Sequence, residues 1–235
     1  MPSGPAHPQD RILYGRRRGH RLRKGRQALV DQLLPGLAID LPGPAEGDVN
    51  LNALFAAPPS DLWLEIGFGA GEHLAWQART HAAIGFIGCE PYLNGVGGLV
   101  HLVNACELRN VRIFTNDARL LLRALPAACL GRVFLLFPDP WPKRRHHKRR
   151  FIQDTELDVL ARVMKDGAEL RIATDHEGFC RWALSRLRGN DSFVWLAHRA
   201  VDWRTRPEDW PETRYERKAR AEGRSCVFLR FRRHR

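Results

Sequence analysis

Between Leu62 and Thr174 the chain alternates five short apolar runs with longer segments whose apolar residues recur every three or four positions. The runs LWLEIG (62–67), GFIGCE (85–90), VRIFT (111–115), RVFLLF (132–137) and ELRIAT (169–174) are rich in branched or aromatic residues and bounded by turn formers, as strands are. The intervening GEHLAWQARTH, GVGGLVHLVNACELR, ARLLLRAL and DTELDVLARVM have the spacing of helices laid on a sheet. A βαβ series of this kind permits few architectures: its strands run parallel, helices cover both faces, and ligand-binding loops leave the carboxyl ends of the strands. Two further runs, SFVWLA (192–197) and SCVFLRF (225–231), are separated by a polar stretch without a clear helix and point to an antiparallel finish. The predicted fold class is therefore α/β, a Rossmann-like, mostly parallel seven-stranded sheet with an antiparallel last strand. It occupies residues 61–235, behind a basic arm and a linker rich in proline and glycine over 1–60.

Function is expected to cluster after each strand. The first strand runs into Glu65-Ile66-Gly67-Phe68-Gly69-Ala70-Gly71-Glu72, with glycines at alternate positions in the turn before a helix. A dinucleotide fingerprint needs a third glycine where this chain has Glu72, and an anionic side chain there repels a phosphate. A ligand without phosphate is favoured, and S-adenosylmethionine is one. Glu90 closes the second strand, where a carboxylate can accept hydrogen bonds from ribose hydroxyls. Asn116 and Asp117 close the third, where the Asp can accept from an adenine amino group.

The fourth strand leads into Phe137-Pro138-Asp139-Pro140-Trp141-Pro142-Lys143, followed by Arg144, Arg145, His146, His147, Lys148, Arg149 and Arg150. Prolines on both sides deny Asp139 a helix and hold it in a turn, Trp141 offers a stacking face, and a phosphate-binding run follows. Charge supports the same direction. The net charge is +12, yet residues 1–26 hold eight basic and one acidic side chain, 140–150 hold six and none, and 214–235 hold nine and two, so the remainder is acidic. An acidic body with three concentrated basic segments suits a polyanion, nucleic acid first among them.

These motifs resemble those of the bacterial tRNA (guanine-N7)-methyltransferases over nearly the whole chain. The matching passages are RRRGHRLRKGRQ in the arm, LEIGFGAGEHL, GCEPYLNGVG, Asn116-Asp117, FPDPWPKRRHHKRR, IATDHEGF and Thr213-Arg214-Tyr215-Glu216. The resemblance implies a class I methyltransferase fold, S-adenosylmethionine as cofactor and a guanosine of tRNA, in the variable loop, as substrate. It places Glu65, Glu90, Asp117 and Asp139 on the cofactor, together with Gly67, Gly69, Gly71 and Asn116. Asp139 would also be the catalytic position, with Lys143, Asp175, Thr213, Arg214, Tyr215 and Glu216 on the guanosine and Arg144, Arg145, Lys148, Arg149 and Arg150 on RNA. Asn116 stands where the family more usually has His, and Glu90 is followed by Pro-Tyr where the pattern varies. Guanine N7 carries an in-plane lone pair and no proton, so positioning dominates the rate, and a fixed carboxylate favours the positive charge that develops on the purine.

Three rival readings fit these residues less well. Amino methylation of adenine or cytosine uses an Asp-Pro-Pro-aromatic turn, which Asp139-Pro140-Trp141 only approximates. A nucleotide-dependent dehydrogenase lacks its third glycine here, and a non-catalytic RNA binder leaves four strand-end carboxylates without purpose. Five dispersed cysteines without a CxxC pair predict neither a disulfide framework nor a zinc site. The chain is expected to bind no metal and no membrane, and to act in the cytoplasm as a monomer or homodimer.

Overall fold

The structure is a computed structural model and describes residues 14, 15, 17–43 and 47–235. The arm before Tyr14, Arg16 and part of the linker lie outside the described residues. Seven strands form one sheet: β1 (Asp61–Ile66), β2 (Ile84–Cys89), β3 (Val111–Phe114), β4 (Leu130–Leu136), β5 (Met164–Thr174), β6 (Phe193–Trp195) and β7 (Val227–Arg233), in the order β3-β2-β1-β4-β5-β7-β6. The first five pair in parallel, and β7 enters antiparallel between β5 and β6. That is the sheet expected from the sequence, including its antiparallel last strand.

Alternation along the strands explains why both faces are covered. In β1, Leu62, Leu64 and Ile66 join one apolar cluster while Trp63 joins the other. In β4, Val133 and Leu135 face the first cluster, and Phe134 and Leu136 the second. Strands apolar on both sides must be buried on both sides, which is the condition for a parallel sheet. Helices α2 (Glu72–Thr80) and α3 (Leu93–Ala105) contribute to the second cluster, and α4 (Ala118–Ala124), α5 (Asp154–Val163) and α6 (Glu177–Arg188) to the first.

Two features were not foreseen. The basic arm contains α1 (Lys24–Leu37), whose Val30 is buried in the second cluster beside α3, and the chain then bridges Ala38 to Ile113 of β3. The stretch before β7, read as polar without a clear helix, contains α7 (Val201–Arg204) and α8 (Arg214–Ala221). In α8 only Glu216 and Ala219 are buried, so the helix has almost no apolar stripe for periodicity to register.

Candidate active site

In a sheet ordered 3-2-1-4-5, the crossovers from β1 and from β4 go to opposite sides, so a crevice opens beyond the carboxyl ends of these two strands. A cavity of about 790 Å³ lies there, and all three basic segments reach it: Tyr14 and Arg26 from the arm side, Arg149 from the loop after β4, and Arg214 with Tyr215 from α8.

Its floor is the glycine turn. Gly67 has φ +70 and nothing within 4 Å of where a Cβ would stand, which leaves bare backbone facing open space. Helix α3 packs against the back of this turn at contact distance because Gly95 and Gly98 face it. A Cβ on Gly98 would lie 2.8 Å from the Ala70 carbonyl oxygen, and one on Gly95 would overlap that of Gly69. Glu90, 9% exposed, is clamped beside the turn, its Oε2 accepting from Gly69 N–H at 2.9 Å and its Oε1 from Tyr92 N–H at 3.0 Å. Burial pushes the Glu90 carboxyl up, the two backbone donors pull it down, and the negative charges of Asp139 and Glu65 add to the upward push.

The opposite wall is the proline turn. Phe137 and Trp141, at its two ends, have φ of 50 and 42, a conformation that costs a non-glycine residue about 1–3 kcal/mol each. Arg150 holds the turn from inside. Its Nε donates to Pro140 O at 2.9 Å, its Nη2 to Trp141 O at 3.4 Å and its Nη1 to Gly178 O at 3.2 Å, and the residue is 2% exposed. Asp139 projects outward, lines the cavity and makes no hydrogen bond or ion pair among the described residues. Restrained backbone with an unengaged carboxylate is a preorganised acceptor.

The structure brings together Gly67, Gly69, Glu90, Asp117, Asp139, Arg149, Arg214 and Tyr215 on one cavity. Asp117 is buried as the cap of α4, accepting from Arg119 N–H at 2.9 Å and pairing with the Arg119 guanidinium at 3.1 Å. Asn116 Oδ1 accepts from Arg17 of the arm at 3.0 Å. Tyr215 stacks on Phe137 with ring centroids 6.4 Å apart, and its ring closes over Gly69.

Other residues singled out in the sequence stand elsewhere. The alternation of β1 puts Glu65 on the same face as Trp63, under α2, where its Oε2 meets His73 Nδ1 at 2.7 Å; neither it nor Gly71 lines the cavity. Arg150 is an internal brace rather than part of the exposed cationic surface. Glu216 is 1% exposed and is taken by Arg206 at 3.1 Å and Arg220 at 2.7 Å, while Thr213 caps α8. Asp175 pairs with Arg224 at 2.7 Å. Lys143, Arg144, Arg145 and Lys148 are exposed around a 3₁₀ turn over Arg144–Arg149. Sequence reasoning missed Tyr14, whose ring lies 5.2 Å from the Arg149 guanidinium and 6.5 Å from Trp141. It sits in a basic arm with no periodicity to mark it. Among the described residues no group of three His, Cys, Asp or Glu could hold a metal ion, and no helix is long and apolar enough to cross a membrane.

Comparison with known proteins adds to this geometry. The family described as "Putative methyltransferase" matches residues 59–229. A protein of Rhodospirillum rubrum named tRNA (guanine-N(7)-)-methyltransferase is 48% identical over 234 residues, covering 99% of this chain and 91% of its own. A protein of the same name from Bradyrhizobium diazoefficiens is 49% identical over 224 residues, covering 95% and 94%. Two solved structures share the fold. An rRNA methylase from Streptococcus thermophilus has TM-score 0.51 at 9% identity, over 74% of this chain and 87% of that one. The 16S rRNA methyltransferase KamB has TM-score 0.52 at 14% identity, over 75% and 89%.

Arg150→Met keeps length and burial but leaves the Pro140 and Trp141 carbonyls without their charged donor. It is expected to lower unfolding free energy by about 1–3 kcal/mol and to speed amide exchange around 137–141. Lys148→Met, on the exposed side of the same run, is expected to change neither. Denaturant titration and hydrogen exchange by mass spectrometry check both; an Arg150→Met protein as protected as the parent contradicts the bracing role.

Proposed function

The chain belongs to the tRNA (guanine-N(7)-)-methyltransferase family, and from that premise we propose how its residues carry out the reaction, the S-adenosylmethionine-dependent methylation of guanine N7 in tRNA. The variable-loop guanosine is the substrate position in this reading. The observation that carries it is Asp139, a carboxylate without a hydrogen-bond partner among the described residues, on a strained and internally braced turn facing the glycine floor.

The cavity fits the cofactor. Open backbone at Gly67 admits a ligand at contact distance, and Glu90, already oriented by two backbone donors, retains acceptor capacity for two ribose hydroxyls. No phosphate-binding feature intrudes, since Glu72 opens α2 where a pyrophosphate would need to sit. When bound, S-adenosylmethionine supplies a methyl group on a positively charged sulfur.

The protein then positions and stabilises. Asp139 orients the guanine and balances the positive charge that N7 acquires, and it takes no proton, because N7 carries none. Tyr215, fixed against Phe137, and Trp141 offer faces on which an unstacked base can lie. Lys143, Arg144, Arg145, Lys148, Arg149 and Arg214 neutralise phosphates around the mouth. Asp175, Thr213 and Glu216 are engaged with Arg224, the α8 backbone and two arginines, so they shape the guanosine side from behind it.

Incubation with bulk tRNA and labelled S-adenosylmethionine is expected to yield 7-methylguanosine on nucleoside analysis. Asp139→Asn is expected to bind both partners yet lose about 10²-fold or more in turnover, the usual scale for a removed electrostatic stabiliser. A methylated adenine or cytosine, or unchanged turnover in the variant, contradicts the assignment. Glu90 supplies a pH signature. Because its carboxyl titrates above the ordinary range, acidification removes its acceptor charge sooner than at an exposed glutamate. Affinity for S-adenosylmethionine is expected to weaken as pH falls through that raised value, and Glu90→Gln to bind weakly at every pH without that transition. Isothermal titration over a pH series checks this.

A further inference from the structure

A buried polar chain outside the cavity runs from β1, just before the glycine turn, to the segment that precedes α8. Glu65, His73 and Gln77 are 4%, 4% and 1% exposed. His73 and Gln77 lie four residues apart on α2, hence on one face of the helix. His73 Nδ1 is 2.7 Å from Glu65 Oε2, Gln77 Nε2 is 3.3 Å from His73 Nε2, and the same Gln77 amide donates to the Asp209 backbone oxygen at 2.9 Å.

The directions of these bonds are mutually consistent. With the proton on Nδ1 donated to Glu65, the neutral ring presents Nε2 as an acceptor, and the Gln77 amide has two N–H groups for Nε2 and for Asp209. Turning the amide over would set oxygen against the Asp209 oxygen, so the amide stays in this orientation although its own Oε1 has no partner.

Neither end of the chain lines the cavity, but each precedes a segment that does. Glu65 is two residues before Gly67, and Asp209 is six before Tyr215. Between Asp209 and Tyr215 the backbone has little freedom. Trp210 is 1% exposed between Phe134 and Phe228, and the Asp209 carboxylate takes Arg171 at 2.8 Å. Arg206 joins the Trp210 carbonyl to Glu216 of α8. Arg206 thus ties the residue after Asp209 to α8, and Tyr215 is the side chain of α8 whose ring meets Gly69.

We propose that Glu65, His73 and Gln77 form a positioning relay that sets the 209–215 segment against the glycine turn and so fixes the affinity of the site for its tRNA substrate. His73 and Gln77 are positioning residues that touch neither substrate nor cofactor. The proposal rests on the reading above that Tyr215 contacts the substrate.

The test is steady-state methylation of tRNA with Gln77→Met, which keeps volume and helix propensity but removes both donors. KM for tRNA is expected to rise about tenfold, with kcat at saturating tRNA and the Kd for S-adenosylmethionine each within twofold of the parent. A merely structural role would instead lower kcat through lost folded protein at unchanged KM, and that result overturns the proposal. Tyr215→Ala is the reference. It should raise KM on its own, and the double variant should be no worse than Tyr215→Ala, because Gln77 acts through that segment. Independent, multiplying effects overturn the relay while leaving the substrate reading intact. An unchanged KM in Tyr215→Ala overturns the substrate reading and the proposal with it. Should Gln77→Met not fold, His73→Asn retains a donor for Glu65 but is too short to accept from Gln77. A rise of about threefold in KM with unchanged cofactor affinity is expected, and a parental KM overturns the proposal.

Discussion

The divergence of the chain on leaving β1 and β4 is the constraint from which the site follows. Adjacent parallel strands normally have their carboxyl ends covered by the next crossover, but here the crossovers part, and backbone groups at those two ends are left facing a crevice. The glycine turn after β1 and the proline turn after β4 are the chain's two ways of using that opening. One brings bare backbone up to the crevice. The other holds a carboxylate out toward it, at the cost of two non-glycine residues in left-handed conformation.

That conformation persists because of its internal support. Arg150 gathers the carbonyls of Pro140, Trp141 and Gly178 beneath the turn, with Trp182 stacked 5.1 Å from its guanidinium. A single cation with five donors in a fixed fork binds several carbonyls at once, which a lysine cannot do. Arg149 of the same run packs on the Tyr14 and Trp141 rings beside the cavity, and Lys143, Arg144, Arg145 and Lys148 are exposed. The run therefore divides by burial, with Arg150 bracing the turn from inside and those four cations left on the surface.

What the sequence made legible has a physical pattern. The five parallel strands were readable because strands buried on both faces are apolar throughout, and the glycine turn and Asp139 because glycine and proline restrict the backbone locally. The parts that escaped depend on pairing between distant residues. Glu216, which the resemblance puts on the guanosine, is enclosed by Arg206 and Arg220, and Glu65, which it puts on the cofactor, lies beneath α2 by strand alternation and meets His73. Helix α8 hid for the same reason, since its buried face holds the paired Glu216 with only Ala219 beside it. Tyr14 was invisible because an arm residue gains its role only from the loop it meets across the cavity.

Basic segments far apart in the chain thus form one rim around a cavity lined by the carboxylates of Glu90, Asp117 and Asp139, a distribution suited to a phosphate backbone outside and a positively charged reacting centre within. The most direct measurement of this account is a crystal structure with S-adenosylhomocysteine. It is expected to show the ligand in the 790 Å³ cavity, the ribose on Glu90, the sulfur facing Asp139 and bare Gly67 backbone against it. A ligand bound elsewhere, or one in the cavity with Asp139 turned away from the sulfur, contradicts it.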